Sequence, residues 1–357
     1  MHRNLSRRGP LLSAAATFAG LGLLLSGCSG QSGSASGDTI HVSIITKDPS
    51  DPFWVAMIDG AKKEAKSQNV EITVAAGKDQ TDSDGQIQAI ENATARGDDA
   101  ILIANNGPAV NDAVKKAQDA GVLVLALDTP FSPANLATAT YATDNFAAGQ
   151  AIGKWAAGSL KGQKAVIAML DLFADKVVSV DYQRDQGFLD GMGIALGDPK
   201  KIGDEAETGT YSGGEYEIAC HEYSDGAQDG GRTAMEKCLS LNPKINVVYT
   251  SNTAPGLGAY QALKAANVNA LLTSINGACE DINTVIGGKF GAGSQQFPGK
   301  MGAEGVKAAV EYVRTGAKPK TDNADGFIDT GVELVTDQTV AGLESVTGAE
   351  AMKACTS

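Results

Sequence analysis

AILIANNGPAVNDAVKKAQDAGVLVLALD, residues 100–128, decides the fold. Ala100 to Ala104 and Val122 to Leu127 are apolar at every position, so neither segment has a face to give to water. A strand buried on both faces belongs to a parallel sheet covered by helices on either side. Between the two runs, Val110 to Ala120 shows helical spacing and is stopped by Gly121. The unit is strand, helix, strand. Each strand delivers a polar residue at its carboxyl end, Asn105 and Asp128, which is where ligands bind in doubly wound sheets.

The same rhythm runs outward in both directions. Upstream, strands are expected at Val42 to Ile45 and Val70 to Ala75, with helices over Pro52 to Gln68 and Ile87 to Ala95. Downstream, Phe146 to Leu160, Arg184 to Leu196, Thr233 to Leu241, Gly256 to Ala266 and Gly302 to Thr315 read as helices. Ala165 to Leu170, Ile245 to Thr250 and Leu271 to Ile275 read as strands, and Phe327 to Val335 as one extended segment. The Gly-, Asp- and Tyr-rich stretch from Asp198 to Asp229 reads as a surface loop. The halves echo one another: Ala100 to Asn105 and Val247 to Asn252 are each an apolar run ending in asparagine, followed by Pro108 or Pro255. The fold class is therefore α/β, with two Rossmann-like lobes of parallel sheet facing one cleft, as the length of 357 residues also suggests.

Composition excludes several functions. With 29 basic and 42 acidic residues the net charge is -13, the wrong sign for a nucleic-acid binder. His2, His41 and His221 are far apart, which argues against a histidine-built metal site or a catalytic triad. No phosphate loop, zinc-protease motif or nucleophile elbow occurs, and the paired glycines at 191/193, 256/258 and 291/293 are assigned to packing. Neither an enzyme activity nor a cofactor or metal is expected. The N-terminus reads as an export signal: Arg3, Arg7 and Arg8, an apolar run from Pro10 to Leu25, then Leu25-Ser26-Gly27-Cys28. That order predicts a signal peptide over 1–27, lipidation of Cys28, and a tether over 28–38. Cys220, Cys238, Cys279 and Cys355 remain for disulfides, with three connectivities open.

Polar and aromatic residues just after strands need partners other than the sheet. They are Lys47, Asp51, Phe53, Trp54, Asn105, Asp128, Asn145, Arg184, Asn252, Asn276 and Gln296. Carboxylates and amides accept and donate to paired hydroxyls, a guanidinium donates in a fixed fork, and aromatic rings cover apolar C–H faces. Together they suit a neutral polyol. Taken singly, Asp128 and Asp144 could be helix caps, Phe53 and Trp54 core residues, and Arg184 half of a surface ion pair.

These residues lie in motifs that resemble the periplasmic sugar-binding proteins of ABC importers, in the ribose and fructose group. Asp51-Pro52-Phe53-Trp54-Val55, the run from Val122 to Asp128, Ala142-Thr143-Asp144-Asn145 and Arg184-Asp185-Gln186-Gly187-Phe188 carry the likeness. So do Gly230 to Glu236 and Ser294-Gln295-Gln296-Phe297-Pro298, which look most like fructose-type members. The likeness covers roughly Thr39 to Val346. It implies a type I binding protein with three crossovers: one lobe of 39–143 plus 297–325, another of 144–296 plus 326–345, and a tail over 346–357. It also implies the eleven site residues named above as ligand contacts. The disulfides expected are Cys220–Cys238, closing a short loop over the glycine-rich stretch, and Cys279–Cys355, which resembles a pair in fructose-type members. Thr129 stands where ribose binders carry a second arginine, Asn276 where the family usually has Asp, and no aromatic is placed near Gly226. A fructose-like ketose or a related aldose is the ligand class so implied. The implied protein is a monomer tethered to the outer face of the membrane, delivering its sugar to an ABC permease and its ATPase. A sensory receptor subunit and an exported glycosidase are the alternatives.

Overall fold

A computed structural model describes residues 39–355. The signal segment, Cys28 and the rest of the tether lie outside the described residues, as do the side chains of Asn276 and Ala354. The first half of the chain builds β1 (Ile40–Thr46), α1 (Pro52–Lys66), β2 (Val70–Ala76), α2 (Ser83–Arg96), β3 (Ala100–Ile103), α3 (Asn111–Asp119), β4 (Leu123–Leu127) and β5 (Thr140–Ala142). Then come α4 (Asn145–Ser159), β6 (Ala165–Asp171), α5 (Ser179–Met192), β7 (Thr208–Tyr211), β8 (Gly214–Tyr223), α6 (Gln228–Leu241) and β9 (Val247–Thr250). The chain ends with α7 (Thr253–Ala266), β10 (Leu271–Asn276), α8 (Cys279–Ile286), β11 (Ala292–Gln295), α9 (Pro298–Thr315), β12 (Phe327–Asp329), β13 (Glu333–Val335) and α10 (Gly348–Ala354).

Two sheets form, in the orders β12-β5-β4-β3-β1-β2 and β13-β11-β10-β9-β6-β8-β7. All pairings are parallel except β11 with β13 and β7 with β8. This is the two-lobe α/β fold that the apolar runs imply. Alternation along each strand feeds two cores per sheet. Leu102 and Leu125 face α1 and α9, while Ile101, Ile103 and Val124 face α2 and α3. In the second lobe, Ile167 and Tyr249 face α4 and α5, while Ala168 and Val248 face α6 and α7.

The chain passes between lobes after β5, after β11 and after β12. The last passage differs from the expected boundary at 325/326. Phe327, Ile328 and Asp329 pair with Thr140, Tyr141 and Ala142, which covers the edge of β5, so the first lobe runs on to Asp329. What reads as one extended segment is therefore two strands in two sheets. The tail also belongs to the second lobe, since α10 packs on α8 and Val346 bridges Val335.

Two further differences have local causes. The expected loop at 198–229 holds the ten-residue strand β8, parallel to β6. Tyr216 and Ile218 pack into the core under α4 and α5, while a bulge opposite Ile167 and Ala168 turns Cys220 into the core under α6 and α7, so no clean period-two pattern marks the strand. The helix expected from Arg184 begins earlier, at Ser179, and ends at Gly193, whose φ of 82° is the left-handed stop that glycine provides.

One helix pair positions the site. A Cβ on Gly149 would sit 2.2 Å from the Arg184 carbonyl oxygen, and one on Gly187 would sit 2.2 Å from that of Phe146. Gly153 and Gly191 repeat the relation one turn on. The backbones of α4 and α5 thus touch along a seam of glycines spaced four apart. That seam sets the start of α4 directly against Arg184.

Candidate functional site

Between the lobes lies a narrow cavity with a volume of about 40 Å³, lined from both sides. The first lobe lines it with Lys47, Asp51, Phe53, Trp54, Gln80 and Asp128. The second contributes Arg184, Asn252, Asp281 and Gln296, with Leu172, Val180, Thr253, Ile275 and Gly277 beside them.

Each first-lobe group is placed by the end of a strand or the start of a helix. Asp128 follows β4 with φ 61°, a left-handed conformation that Asp tolerates better than most residues. Its amide donates to the Tyr141 carbonyl at 2.8 Å, and its Oδ2 accepts from the Thr129 hydroxyl at 2.7 Å. Lys47, after β1, donates to Thr129 Oγ1 at 2.8 Å and stands 4.0 Å from Asp128 Oδ2. Burial lowers its amine to about 8, against the pull of Asp128 and with the push of Arg184. Asp51 caps α1, accepting from the Phe53 amide at 2.9 Å. Burial pushes its carboxyl up to about 6, opposed by that amide and helped by the charges of Asp281, Asp48 and Asp128. Phe53 and Trp54 meet edge to face, their centroids 4.7 Å apart, and the Lys47 amine lies 5.5 Å from the Trp54 ring centroid.

The second lobe is built around one guanidinium. Arg184 is 5% exposed, and its donors go to Asn145 Oδ1 at 2.7 Å, the Ser251 carbonyl at 2.9 Å and Gln296 Oε1 at 3.2 Å. Those acceptors come from α4, from the end of β9 and from the end of β11, so three elements fix the fork. Its remaining donors face the cavity. Asp281 caps α8 through the amides of Gly277 and Ala278, and burial raises its carboxyl.

The lobes touch around this cavity. A Cβ on Gly277 would lie 2.0 Å from Phe53 Cδ2, so the first lobe's ring rests on bare backbone of the second. Lys176 of the second lobe donates to the carbonyls of Gln80 and Asn106 at 3.2 and 3.1 Å. The arrangement is that of a closed cleft.

Of the eleven residues expected at the site, Lys47, Asp51, Phe53, Trp54, Asp128, Arg184, Asn252 and Gln296 line the cavity. Asn105 does not. Its amide donates to the Thr129 carbonyl and accepts from the Gly107 amide, so it shapes the loop behind Asp128. Asn145 also stands back from the lining and aims Arg184. Asn276 ends β10, but its side chain lies outside the described part. Asp144 is indeed a cap, accepting from the Ala147 amide. Gln80, in the loop after β2, and Asp281, inside α8, were missed because neither sits next to a strand end; the acidic first turn of α8 after Gly277 was the available signal. The expected disulfides Cys220–Cys238 and Cys279–Cys355 are both formed.

Comparison with known proteins agrees with this architecture. A ribose import binding protein of Haemophilus influenzae is 27% identical over 292 residues, spanning 82% of this chain and 91% of the relative. A D-apiose import binding protein of Actinobacillus succinogenes is 28% identical over 285 residues, spanning 79% and 84%. An ABC transporter solute binding protein from Agrobacterium vitis, solved with bound D-fucose, superposes with a TM-score of 0.68 at 26% identity, covering 85% of this chain and 97% of the other. The model of the periplasmic binding protein domain matches residues 42–318, across both sheets and the cavity between them, and the chain belongs to that family.

Proposed function

We propose that this chain captures a monosaccharide in the interlobe cavity and hands it to the permease of an ABC importer. The carrying observation is the pairing of opposed groups in one closed space: Asp128 and Lys47 from one lobe, Arg184 and Gln296 from the other, with Phe53 and Trp54 beside them. Carboxylate and guanidinium together satisfy hydroxyls that both donate and accept, and the rings cover C–H faces. Binding acts by closure and not by bond-making. Both lobes touch the ligand only when shut, so the ligand draws the population to the closed form. The Lys176 bonds add to that form alone. The ligand class extends from a fructose-like ketose to aldoses such as those in the relatives' names. The eleven expected residues divide into contacts, the eight that line the cavity, and supports, Asn105 and Asn145, with Asn276 a contact from the end of β10.

The same reading places the protein, as a monomer, outside the cytoplasmic membrane, held by a lipid on Cys28. Its support is the basic, apolar and small-residue order before that cysteine. Thermal-shift screening against a monosaccharide panel, followed by calorimetry, tests the binding role, because a ligand stabilises in proportion to the logarithm of its excess over Kd. A sugar that binds one to one supports it; no response from any pentose or hexose refutes it. Cys28→Ser is expected to release the protein from membranes with sugar affinity unchanged.

A further inference from the structure

Behind the second lobe's face of the cavity, four acids and one histidine are packed with few donors among them. Asp171 ends β6, Asp181 and Asp185 lie on α5, His221 is on β8, and Glu205 is in the loop before β7. Asp171 and Asp185 are fully buried and Glu205 nearly so. His221 Nδ1 lies 3.0 Å from Asp171 Oδ2, and its Nε2 lies 2.6 Å from Glu205 Oε1. One atom each from Asp171, Asp185 and His221 all fall within 4.8 Å of one another.

Independent of the acids themselves, the surroundings are short of donors. Asp171 Oδ1 and Asp185 Oδ2 are buried and accept from no N–H or hydroxyl among the described residues; the two carboxyls lie within hydrogen-bond reach of one another, and the hydroxyl of Tyr249 is likewise buried without a partner. Tyr249 is fully buried, and its hydroxyl feels the charges of Asp171, Asp185 and Asp181 most among its neighbours. Arg184, one residue from Asp185, has its donors directed to Asn145, Ser251 and Gln296 instead. Two carboxyls meeting in a buried space must share a positive charge between them, a proton or a metal cation, and the imidazole beside them supplies a metal ligand.

We propose that Asp171, Asp185 and His221 hold a divalent transition ion of the zinc class, with Glu205 orienting the imidazole from its far nitrogen. Ligand atoms around such an ion stand on the order of 3–4 Å apart, since each lies ~2.1 Å from the metal. His221 Nδ1 and Asp171 Oδ2 already stand 3.0 Å apart, and a small inward shift of the third ligand atom, within 4.8 Å of both, completes the set. An imidazole among carboxylates favours zinc or manganese over calcium or magnesium. A carboxylate on the second ring nitrogen is the usual outer partner of a metal-bound histidine. The His221 side chain is 17% exposed, which gives the ion a way in. The expectation of no metal rested on histidines scattered along the sequence; the fold needs only one, because β6 and α5 bring the carboxylates to it. The ion would be structural, tying β6, β8 and α5 together beneath Arg184.

The test is calorimetric titration of the EDTA-treated, dialysed protein with zinc chloride and manganese chloride, with calcium and magnesium chloride as controls, in the absence of sugar. One saturable zinc equivalent and a rise in Tm of roughly 5 °C are expected. His221→Gln and Asp185→Asn should abolish that binding, while His41→Gln, which removes the other histidine of the described residues, should not. Glu205→Gln should weaken zinc about 10- to 100-fold. Should the His221 and Asp185 variants not fold, zinc-edge absorption of the loaded wild type decides, with one imidazole and two carboxylates expected in the first shell. Absence of a saturable zinc equivalent in the wild type overturns the proposal. So does equal binding by folded His221→Gln, unchanged affinity in Glu205→Gln, or a first shell without imidazole.

Discussion

The two lobes share a fold and meet the same cavity, but they hold their charges differently. In the second lobe a single guanidinium is gripped by three acceptors from three elements, on a helix pair that a glycine seam allows no other spacing. Both disulfides also lie in that lobe. In the first lobe the charges are a lysine, a cap and a left-handed aspartate. Each is tied by one or two bonds, and two have ionisation moved toward neutral pH by burial. One lobe is a rigid donor; the other is adjustable.

Reducing the disulfides should break the contrast most. Cross-links over sequence separations of 18 and 76 restrict the unfolded chain by roughly 3 and about 4.5 kcal/mol respectively in the chain-entropy model. The first lobe contains neither. Calorimetry of the reduced protein should show the second lobe melting first, as a separate transition, while the oxidised protein melts in one. A single transition shifted as a whole would mean that the lobes stand or fall together.

Next in size are the two central charges. Losing either leaves buried partners without their hydrogen bonds, which costs ~2–4 kcal/mol, or on the order of 30- to 1000-fold in affinity. Arg184→Gln should reach the upper part of that range, because Asn145, Ser251 and Gln296 all lose a charged donor. Asp128→Asn should fall lower, since an amide oxygen can still accept from Thr129. Calorimetry with the cognate sugar ranks them. Affinities within threefold of wild type for both folded variants would take these residues out of the site.

Gly277→Ala separates closure from folding. Its Cβ would meet the Phe53 ring at 2.0 Å, a clash that exists only when the lobes are shut. Overpacking of this kind costs ~1–3 kcal/mol, or about 5- to 150-fold in affinity. The Tm without sugar should not change, and in a Phe53→Ala background the penalty should vanish. A penalty that persists in the double variant would place the effect in the second lobe's own backbone.

How much of this could be read beforehand follows the same division. First-lobe strands announce themselves as unbroken apolar runs, so β1, β3 and β4 and the residues at their ends, Lys47 and Asp128, were legible. Arg184 was legible as a residue, although its helix starts five residues earlier than the pattern suggests, because Ser179 to Gln183 offers no apolar stripe. β8 was hidden, since a bulge puts its buried residues Tyr216 and Cys220 on opposite faces and the flanking glycines read as loop. Gln80 and Gly277 follow β2 and β10, but the first lies well into its loop and the second has no side chain to mark it, while Asp281 sits inside α8. They reach the cavity because closure brings loops and caps of opposite lobes together, and that relation leaves no periodic trace in the chain.

The smallest effect concerns the titration of the first lobe. Burial, more than any neighbour, holds Asp51 at about 6, so the native state binds its proton more tightly than the unfolded chain does. Without sugar, the stability that this group contributes is therefore full below about pH 4, declines as pH rises to 6, and is level above. Sugar binding should run the other way. Ionised Asp51 accepts hydroxyls at both oxygens with a full charge, and the protonated form accepts more weakly at one, so affinity should rise from pH 5 to pH 7 by up to about tenfold, the one-proton limit. Lys47, held at about 8, should impose the opposite limb, as its charged bond beside Asp128 is lost above that pH. The affinity profile is then a bell drawn by the first lobe alone. Asp51→Asn should flatten its acid side while α1 stays capped, because asparagine caps as well as aspartate. Calorimetry at pH 5, 6, 7 and 8 on both proteins decides it. An acid limb that survives in the variant would move the titrating group to Asp281, on the second lobe, and would end the claim that only the first lobe is adjustable.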